Sequence, residues 1–289
     1  MKRFILLLTL MGTTLFSSAQ DYGQDLTLPL WNNSTAPHSN GLEGDEVMEE
    51  PFRIARTTEA VLYVFKADAD RASDLGIVIC PGGGYRRLAI DNEGFLMARW
   101  FAAQGITAAV LKYRMPNGHP EVPLEDATRA LRILAGEEPG AEGFTAGRVG
   151  IAGCSAGGHL AAMVSAMGDF RPAFSVLFYP VITGEEGLCH KGSFDNLLGP
   201  GRTAEQTARY SLENRVDALT PPAILLLSDD DRSVPPVSST RYYEALKRFG
   251  TKASLHVYPS GGHGWGMKEE FRYRDTWRAA LIDWLSGLH

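Results

Sequence analysis

Arg148-Val149-Gly150-Ile151-Ala152-Gly153-Cys154-Ser155-Ala156-Gly157-Gly158-His159 sets an apolar run of strand length against a small-residue turn, and a helical pattern follows from Ala156 to Met167. Gly153, Ser155 and Gly157 form a G-x-S-x-G pattern at a strand-to-helix junction, the only context in which that pattern has mechanical meaning. A serine held there stands above the sheet on a strained backbone. Any side chain two residues to either side would collide with the neighbouring strand or helix. The helix that follows points its first N–H groups toward developing negative charge. A tight turn carrying an incidental serine is the competing reading, and it depends on whether partners for Ser155 exist elsewhere in the chain.

Outward from this stretch, apolar runs alternate with amphipathic segments. Strands are predicted at Val61 to Phe65, Leu75 to Cys80, Ile106 to Leu111, Arg148 to Gly153, Ala173 to Tyr179, Ala223 to Leu227 and Ser254 to Tyr258. Helices are predicted at Glu93 to Ala103, Leu124 to Ala135, Ala156 to Met167, Val237 to Phe249 and Tyr273 to Leu285. This alternation calls for an α/β fold, a mostly parallel sheet with helices on both faces. The interval from Tyr179 to Pro222 breaks the rhythm and reads as a short loop-rich excursion without a long apolar helix. Asn32 to Glu50 reads as a surface loop after a short strand near Leu26 to Trp31.

Serine at its free pKa is a poor nucleophile and needs a base, which needs an acid to fix its tautomer. Candidates occur in the order Ser, Asp, His, on loops that follow predicted strands, the side of an open parallel sheet where sites form. Asp231 closes the triplet Asp229-Asp230-Asp231 and stands in a D-x-x-V-P arrangement with Val234 and Pro235; Asp230 is the alternative acid. His263 lies within Gly261-Gly262-His263-Gly264, where flanking glycines give a reaching side chain backbone freedom. The other histidines in loops, strands or the helix after the turn, His38, His119, His159, His190 and His256, read as packed, hydrogen-bonded or solvated. Pro81-Gly82-Gly83-Gly84-Tyr85 follows an apolar strand and supplies backbone N–H groups, from Gly82 and Gly83, that could approach a substrate carbonyl. Neither dinucleotide nor P-loop spacing is present in that glycine run. Tyr85 and Trp265 offer flat aromatic surface on which a sugar ring could stack, or else pack the bases of their loops.

Composition narrows the partners. The chain has 289 residues, is 44% apolar and 21% charged, and carries a formal charge of −6 without a basic run, so nucleic acid is excluded as a partner. Lys2 and Arg3, the apolar run Phe4 to Phe16, and Ser17-Ser18-Ala19 have the form of a signal peptide, 1–19, leaving a single domain over 20–289. That run is short of the roughly 20 residues a spanning helix needs. Export to the periplasm or exterior, with no membrane insertion of the mature chain, is the expectation. Cys80, Cys154 and Cys189 are too few for a disulfide scaffold and are expected to be unpaired. No CxxC or HExxH cluster suggests a metal, and no cofactor is expected.

Beside Pro81 to Tyr85, the stretches Gly105 to Arg114, Pro123-Leu124-Glu125-Asp126-Ala127, Cys154 to Ala161, Asn196-Leu197-Leu198-Gly199 and Thr220-Pro221-Pro222 carry a resemblance. From about Leu75 to Leu285 the chain resembles the bacterial α/β-hydrolase carbohydrate esterases, in particular the acetylxylan-esterase-like group. The resemblance implies the α/β-hydrolase fold, a secreted serine esterase with Ser155, Asp231 and His263 as triad, and Gly83 with Ala156 as oxyanion donors. It further implies an acylated carbohydrate as substrate, with removal of short acyl groups such as acetyl. Ser228 and the aspartate triplet depart from the His-Ala-Asp-Asp type sequence of such relatives. A serine exopeptidase of the same fold and a generic small-ester hydrolase are the alternatives. A non-catalytic binding protein would lack a triad member, and none is missing.

Overall fold

The computed structural model describes residues 22–32, 35–50 and 52–288, so the expected signal peptide, 1–19, lies outside the described residues. Eight strands form one sheet: β1 (Leu26–Pro29), β4 (Val61–Phe65), β5 (Leu75–Cys80), β7 (Thr107–Lys112), β8 (Arg148–Cys154), β9 (Ser175–Phe178), β10 (Ala223–Ser228) and β11 (Ala253–Tyr258). Their spatial order is β1-β4-β7-β5-β8-β9-β10-β11. Pairing is parallel from β7 through β11, and antiparallel where β4 joins β7 and where β1 joins β4. The central strands β5, β7, β9 and β10 are buried along their whole length, which is why they read as continuous apolar runs and not as alternation.

Helices cover both faces. α2 (Glu121–Leu134) and α3 (Ala156–Met167) pack together, while α1 (Leu96–Ala103) and α7 (Arg274–Ser286) meet through the Trp100 and Trp277 rings, 5.2 Å apart. α6 (Val237–Arg248) packs on β11 and β10. Among the described residues, no helix is long and apolar enough to cross a membrane.

Strand order decides where a site can form. The chain leaves β5 toward β7 on one side and leaves β8 toward β9 on the other, so the C-terminal ends of β5 and β8 flank the crevice of a topological switch point. The glycine run follows β5, and Ser155 follows β8.

Three local readings need correction. The segment Asn32 to Glu50 ends in a strand, β2 (Val47–Glu49), which pairs with β3 (Arg53–Ala55); β3 pairs in turn with β6 (Arg87–Leu88), just after the glycine run. These strands are two or three residues long, too short to show a period. The helix expected from Glu93 begins as a π-helical turn, Asp91–Phe95, before α1. The excursion after β9 contains two short helices, α4 (Lys191–Leu198) and α5 (Ala204–Arg209), the latter started by a Thr203/Gln206 capping box. Its side chains are largely polar, so helical periodicity was faint there.

Close packing at the turn after β8 is among the tightest constraints in the fold. A Cβ on Gly157 would stand 2.0 Å from the Cys80 carbonyl oxygen and 2.5 Å from that of Pro81, both backbone. Replacing Gly157 with alanine would therefore separate α3 from β5, and Gly157→Ala should lose about 3 kcal/mol or more in urea denaturation. Gly201→Ala, where a Cβ meets nothing within 4 Å, should change stability by less than about 0.5 kcal/mol.

Candidate active site

Ser155 sits between β8 and α3 with φ 53° and ψ −117°, a conformation rare for a residue with a side chain. Hydrogen bonds hold it there: its N–H donates to the Phe178 carbonyl (3.0 Å), and its carbonyl accepts from His159 and Val181 N–H (3.0 Å each). His263, in the loop after β11, places Nε2 2.8 Å from Ser155 Oγ and Nδ1 2.6 Å from Asp231 Oδ2. The other carboxylate oxygen, Asp231 Oδ1, accepts the Ser233 and Val234 N–H groups, both at 2.9 Å. Those donors fix the carboxylate plane so that Oδ2 faces the imidazole. With Nδ1–H donated to Asp231, Nε2 is left as the acceptor for the serine proton.

The aspartate triplet is resolved by geometry. Asp230 is turned away from the imidazole and accepts the N–H groups of Gly262 (2.8 Å) and Gly261 (3.3 Å). The Gly262 bond is the main reason its carboxyl lies below the usual range. Asp230 braces the histidine loop from outside; Asp231 meets the ring.

Of the expected donors, two remain available. Gly82 does not: its N–H is committed to the buried Glu93 Oε2 at 2.9 Å, which corrects its assignment as an oxyanion donor. Gly83 has φ 137°, and a Cβ there would stand 2.1 Å from the Arg87 carbonyl, so only glycine suits the position. Among the described residues its N–H has no acceptor. Ala156 is the first residue of α3, where an amide has no carbonyl one turn back to bond.

Neither expected aromatic faces substrate. Tyr85 is 1% exposed, with its hydroxyl on His159 Nδ1 (3.0 Å), and Trp265 is 2% exposed, with Nε1 donating to Ser228 Oγ (3.1 Å) and its ring stacked on Phe271 at 4.3 Å. Each aromatic buries its body and uses its polar tip to anchor a loop. What does line the cleft, about 620 Å³ in volume, is Ser155, His263, Gly83 and Gly84 on one side and His190 and Asn196 from the excursion on the other. Phe52, in the turn between β2 and β3, and Arg53 of β3 also line it. His190 caps α4 by accepting the Ser193 N–H at Nδ1 (3.2 Å), which leaves Nε2 as the protonated nitrogen. Burial and the nearby His263 hold its pKa below the usual value. No local pattern marks His190, and Asn196 stood out only as the start of a stretch that carries the resemblance, without a role; both reach the cleft because α4 folds back over the glycine run, with Asn196 Nδ2 on the Gly84 carbonyl at 2.8 Å.

Cys80, Cys154 and Cys189 are all unpaired. Burial pushes the Cys80 and Cys154 thiols up, so neither is a thiolate nucleophile beside Ser155. Among the described residues no group of three His, Cys, Asp or Glu side chains is placed to hold a metal. A larger cleft of about 890 Å³ opens between the excursion and α6, but contains none of Ser155, Asp231 or His263.

A family model for the alpha/beta hydrolase fold matches residues 77–267, the span that holds every residue of this relay. The chain belongs to the α/β-hydrolase family. It is 39% identical over 225 residues to an acetylxylan esterase of Xylanibacter ruminicola, a match covering 76% of this chain and 47% of that protein. It is 31% identical over 220 residues to endo-1,4-beta-xylanase B of Butyrivibrio fibrisolvens, covering 70% of this chain and 34% of that protein. The chain thus spans about half or less of these curated relatives. Among solved structures, the acetyl ester-xyloside bifunctional hydrolase of Caldicellulosiruptor lactoaceticus superposes with a TM-score of 0.77 at 31% identity, covering 92% of this chain and 97% of that one.

This hydrolase fold also buries a histidine, His159, four residues after Ser155. His159 on α3 is fully buried, donates from Nε2 to the Tyr210 carbonyl (2.9 Å) and accepts the Tyr85 hydroxyl at Nδ1. Burial lowers its pKa from 6.5 to about 4. The folded chain resists a proton that the unfolded chain takes up, so stability is complete above the unfolded pKa and falls as pH drops through the window from 6.5 to about 4. The loss should reach about 3 kcal/mol. Urea midpoints across that window should show a slope that His159→Gln reduces; equal slopes would place the titration elsewhere.

Proposed function

We propose that this protein is a serine carboxylic-ester hydrolase that removes short acyl groups, acetyl above all, from polysaccharides or oligosaccharides such as acetylated xylan, after export from the cytoplasm. The carrying observation is the Ser155–His263–Asp231 relay, with contacts of 2.8 and 2.6 Å, opening on a cleft that also holds Gly83. His263 Nε2 takes the Ser155 proton as Oγ attacks the ester carbonyl. The N–H groups of Gly83 and Ala156 receive the oxyanion, and the buried Asp231 carboxylate stabilises the imidazolium. His263 then returns the proton to the departing sugar oxygen, leaving acyl-Ser155, and activates water to release the acid. None of these steps calls for a cofactor.

Support for a short acyl group comes from the cleft walls. The described lining consists largely of polar and glycine residues, and α4 and α5 offer no apolar tunnel. The sugar side of the reading rests on the names of the similar proteins, an acetylxylan esterase and an acetyl ester-xyloside hydrolase, and on the hydrogen-bonding groups of His190, Asn196 and Arg53 at the cleft. Export rests on the sequence of residues 1–19.

A fluorophosphonate probe should label the wild-type protein and not Ser155→Ala, whose turnover of p-nitrophenyl acetate should fall by at least about 10⁴-fold. Asp231→Asn should cost about 10³-fold or more, and Asp230→Asn less than about tenfold. The reverse ranking would move the acid to Asp230, and turnover of dipeptide anilides in place of acetate esters would replace esterase by peptidase.

Across p-nitrophenyl esters from acetate to octanoate, kcat/KM should peak at acetate, the opposite of a lipase gaining about 0.8 kcal/mol per buried CH₂. Acetate release from acetylated xylo-oligosaccharides is the companion measurement. A peak at hexanoate or beyond would overturn the carbohydrate reading, and an acetate peak without release from the sugars would reduce it to small-ester hydrolysis.

A further inference from the structure

Glu93 is a fully buried carboxyl that the relay does not use. It projects from the π-helical turn Asp91–Phe95 to a point between the two loops that carry the chemistry. On one side Oε2 accepts the Gly82 N–H at 2.9 Å, one residue before the oxyanion donor Gly83. On the other, Oε1 accepts the Tyr179 hydroxyl at 2.8 Å, and that hydroxyl accepts the Gly266 N–H at 2.8 Å, three residues after His263. The Tyr179 ring also lies edge-on to His263 at 4.9 Å, on a backbone held at φ 37°. The neighbouring Asn92 extends the bracket, its Oδ1 accepting the Met267 N–H at 3.1 Å.

We propose, on the esterase reading above, that Glu93 is a positioning residue which holds the oxyanion loop and the histidine loop in one fixed relation and presents its carboxylate to the imidazolium that forms on His263. Tyr85 and Asn196 anchor the first loop and Asp230 and Trp265 the second, each to its own surroundings, whereas Glu93 links the two loops to one another. One carboxylate with two oxygens, tied to both, sets the distance between the oxyanion donor and the base. A protonated carboxyl would disturb one of the acceptor positions that the Gly82 amide and the Tyr179 hydroxyl require, so the ionised form suits the network.

Charge reinforces the geometry. The groups facing Glu93 are Tyr179 after β9, His263 and Lys268 from the loop after β11, Cys154 at the end of β8 and Tyr113 after β7. Burial raises the carboxyl's pKa, while the Tyr179 bond, His263, Gly82 and Lys268 act in the opposite sense. Attraction between Glu93 and a protonated His263 is mutual, so loss of the negative charge makes the imidazolium harder to form.

The test compares Glu93→Gln, Glu93→Ala and Tyr179→Phe with wild type on p-nitrophenyl acetate across pH, with near-ultraviolet circular dichroism and melting to establish folding. Glu93→Ala should lose about 100-fold in kcat and Tyr179→Phe about tenfold, because misplaced reacting groups lose rate rather than binding. KM should stay within about threefold. Glu93→Gln, which keeps one of the two acceptor oxygens, should recover part of the kcat lost in Glu93→Ala at pH 8, and the acid limb of its kcat/KM profile should move to lower pH. If Glu93→Ala does not fold, the other two variants carry the comparison. Folded Tyr179→Phe and Glu93→Gln enzymes with wild-type kcat and an unmoved acid limb would overturn the inference, as would activity losses no larger than the loss of folded protein. A wild-type chain without esterase turnover would instead overturn the reading on which it rests.

Discussion

The contact of Gly157 with the carbonyl of Cys80 sets the rest of this structure. It brings the start of α3 against the end of β5, and so places Ser155 beside the glycine run at the crevice the strand order opens. Ser155 must then adopt a left-handed backbone, at a cost of order 1–3 kcal/mol. Three backbone hydrogen bonds to Ser155, reaching from β9, α3 and the segment after β9, hold that conformation. Two of the three come from residues distant in the chain, Phe178 and Val181, so the strain is carried largely by long-range structure.

A second layer of support lies beneath the glycine run and the histidine loop and is polar. Glu93, Tyr179 and Asn92 satisfy backbone amides of these segments from beneath, while Asp230 holds Gly261 and Gly262 from the exposed side. Leaving the buried Gly82 and Gly266 amides unpaired would cost about 1–3 kcal/mol each, so Glu93 and Tyr179 are as much a condition of the loop shapes as the glycines are. Arg114 and Asp126 do comparable work farther out. Their buried pair, with contacts down to 2.6 Å, also receives the Trp31 Nε1–H and sends an Arg114 Nη1–H to the His38 carbonyl, tying the N-terminal segment to the domain. The Arg114 and Asp126 stretches, which carried the family resemblance, are thus structural in this chain.

The sequence by itself determined the parallel α/β architecture, because a strand buried on both faces, such as Leu75 to Cys80, must be continuously apolar; Val61 to Phe65, buried on one face, and Ala156 to Met167, buried almost all round, were legible to the residue as apolar runs of strand and helix length. It also marked Ser155 and His263, since a serine on a strained strand-to-helix turn needs glycines two residues to either side, and glycines flank His263 directly. Left to tertiary structure were the roles that depend on which atom points where. Asp230 and Asp231 are adjacent and chemically identical, and only the Ser233 and Val234 amides turn one of them to His263. Gly82 and Gly83 are equally free in sequence, yet the distant Glu93 takes the amide of the first. Tyr85 and Trp265 lie beside the chemistry along the chain but are drawn into the core by His159 and Ser228, while His190 and Asn196, far from it in sequence, form its wall. Chain proximity fixes a residue's neighbourhood; the direction of its side chain depends on hydrogen-bond partners that folding brings from elsewhere.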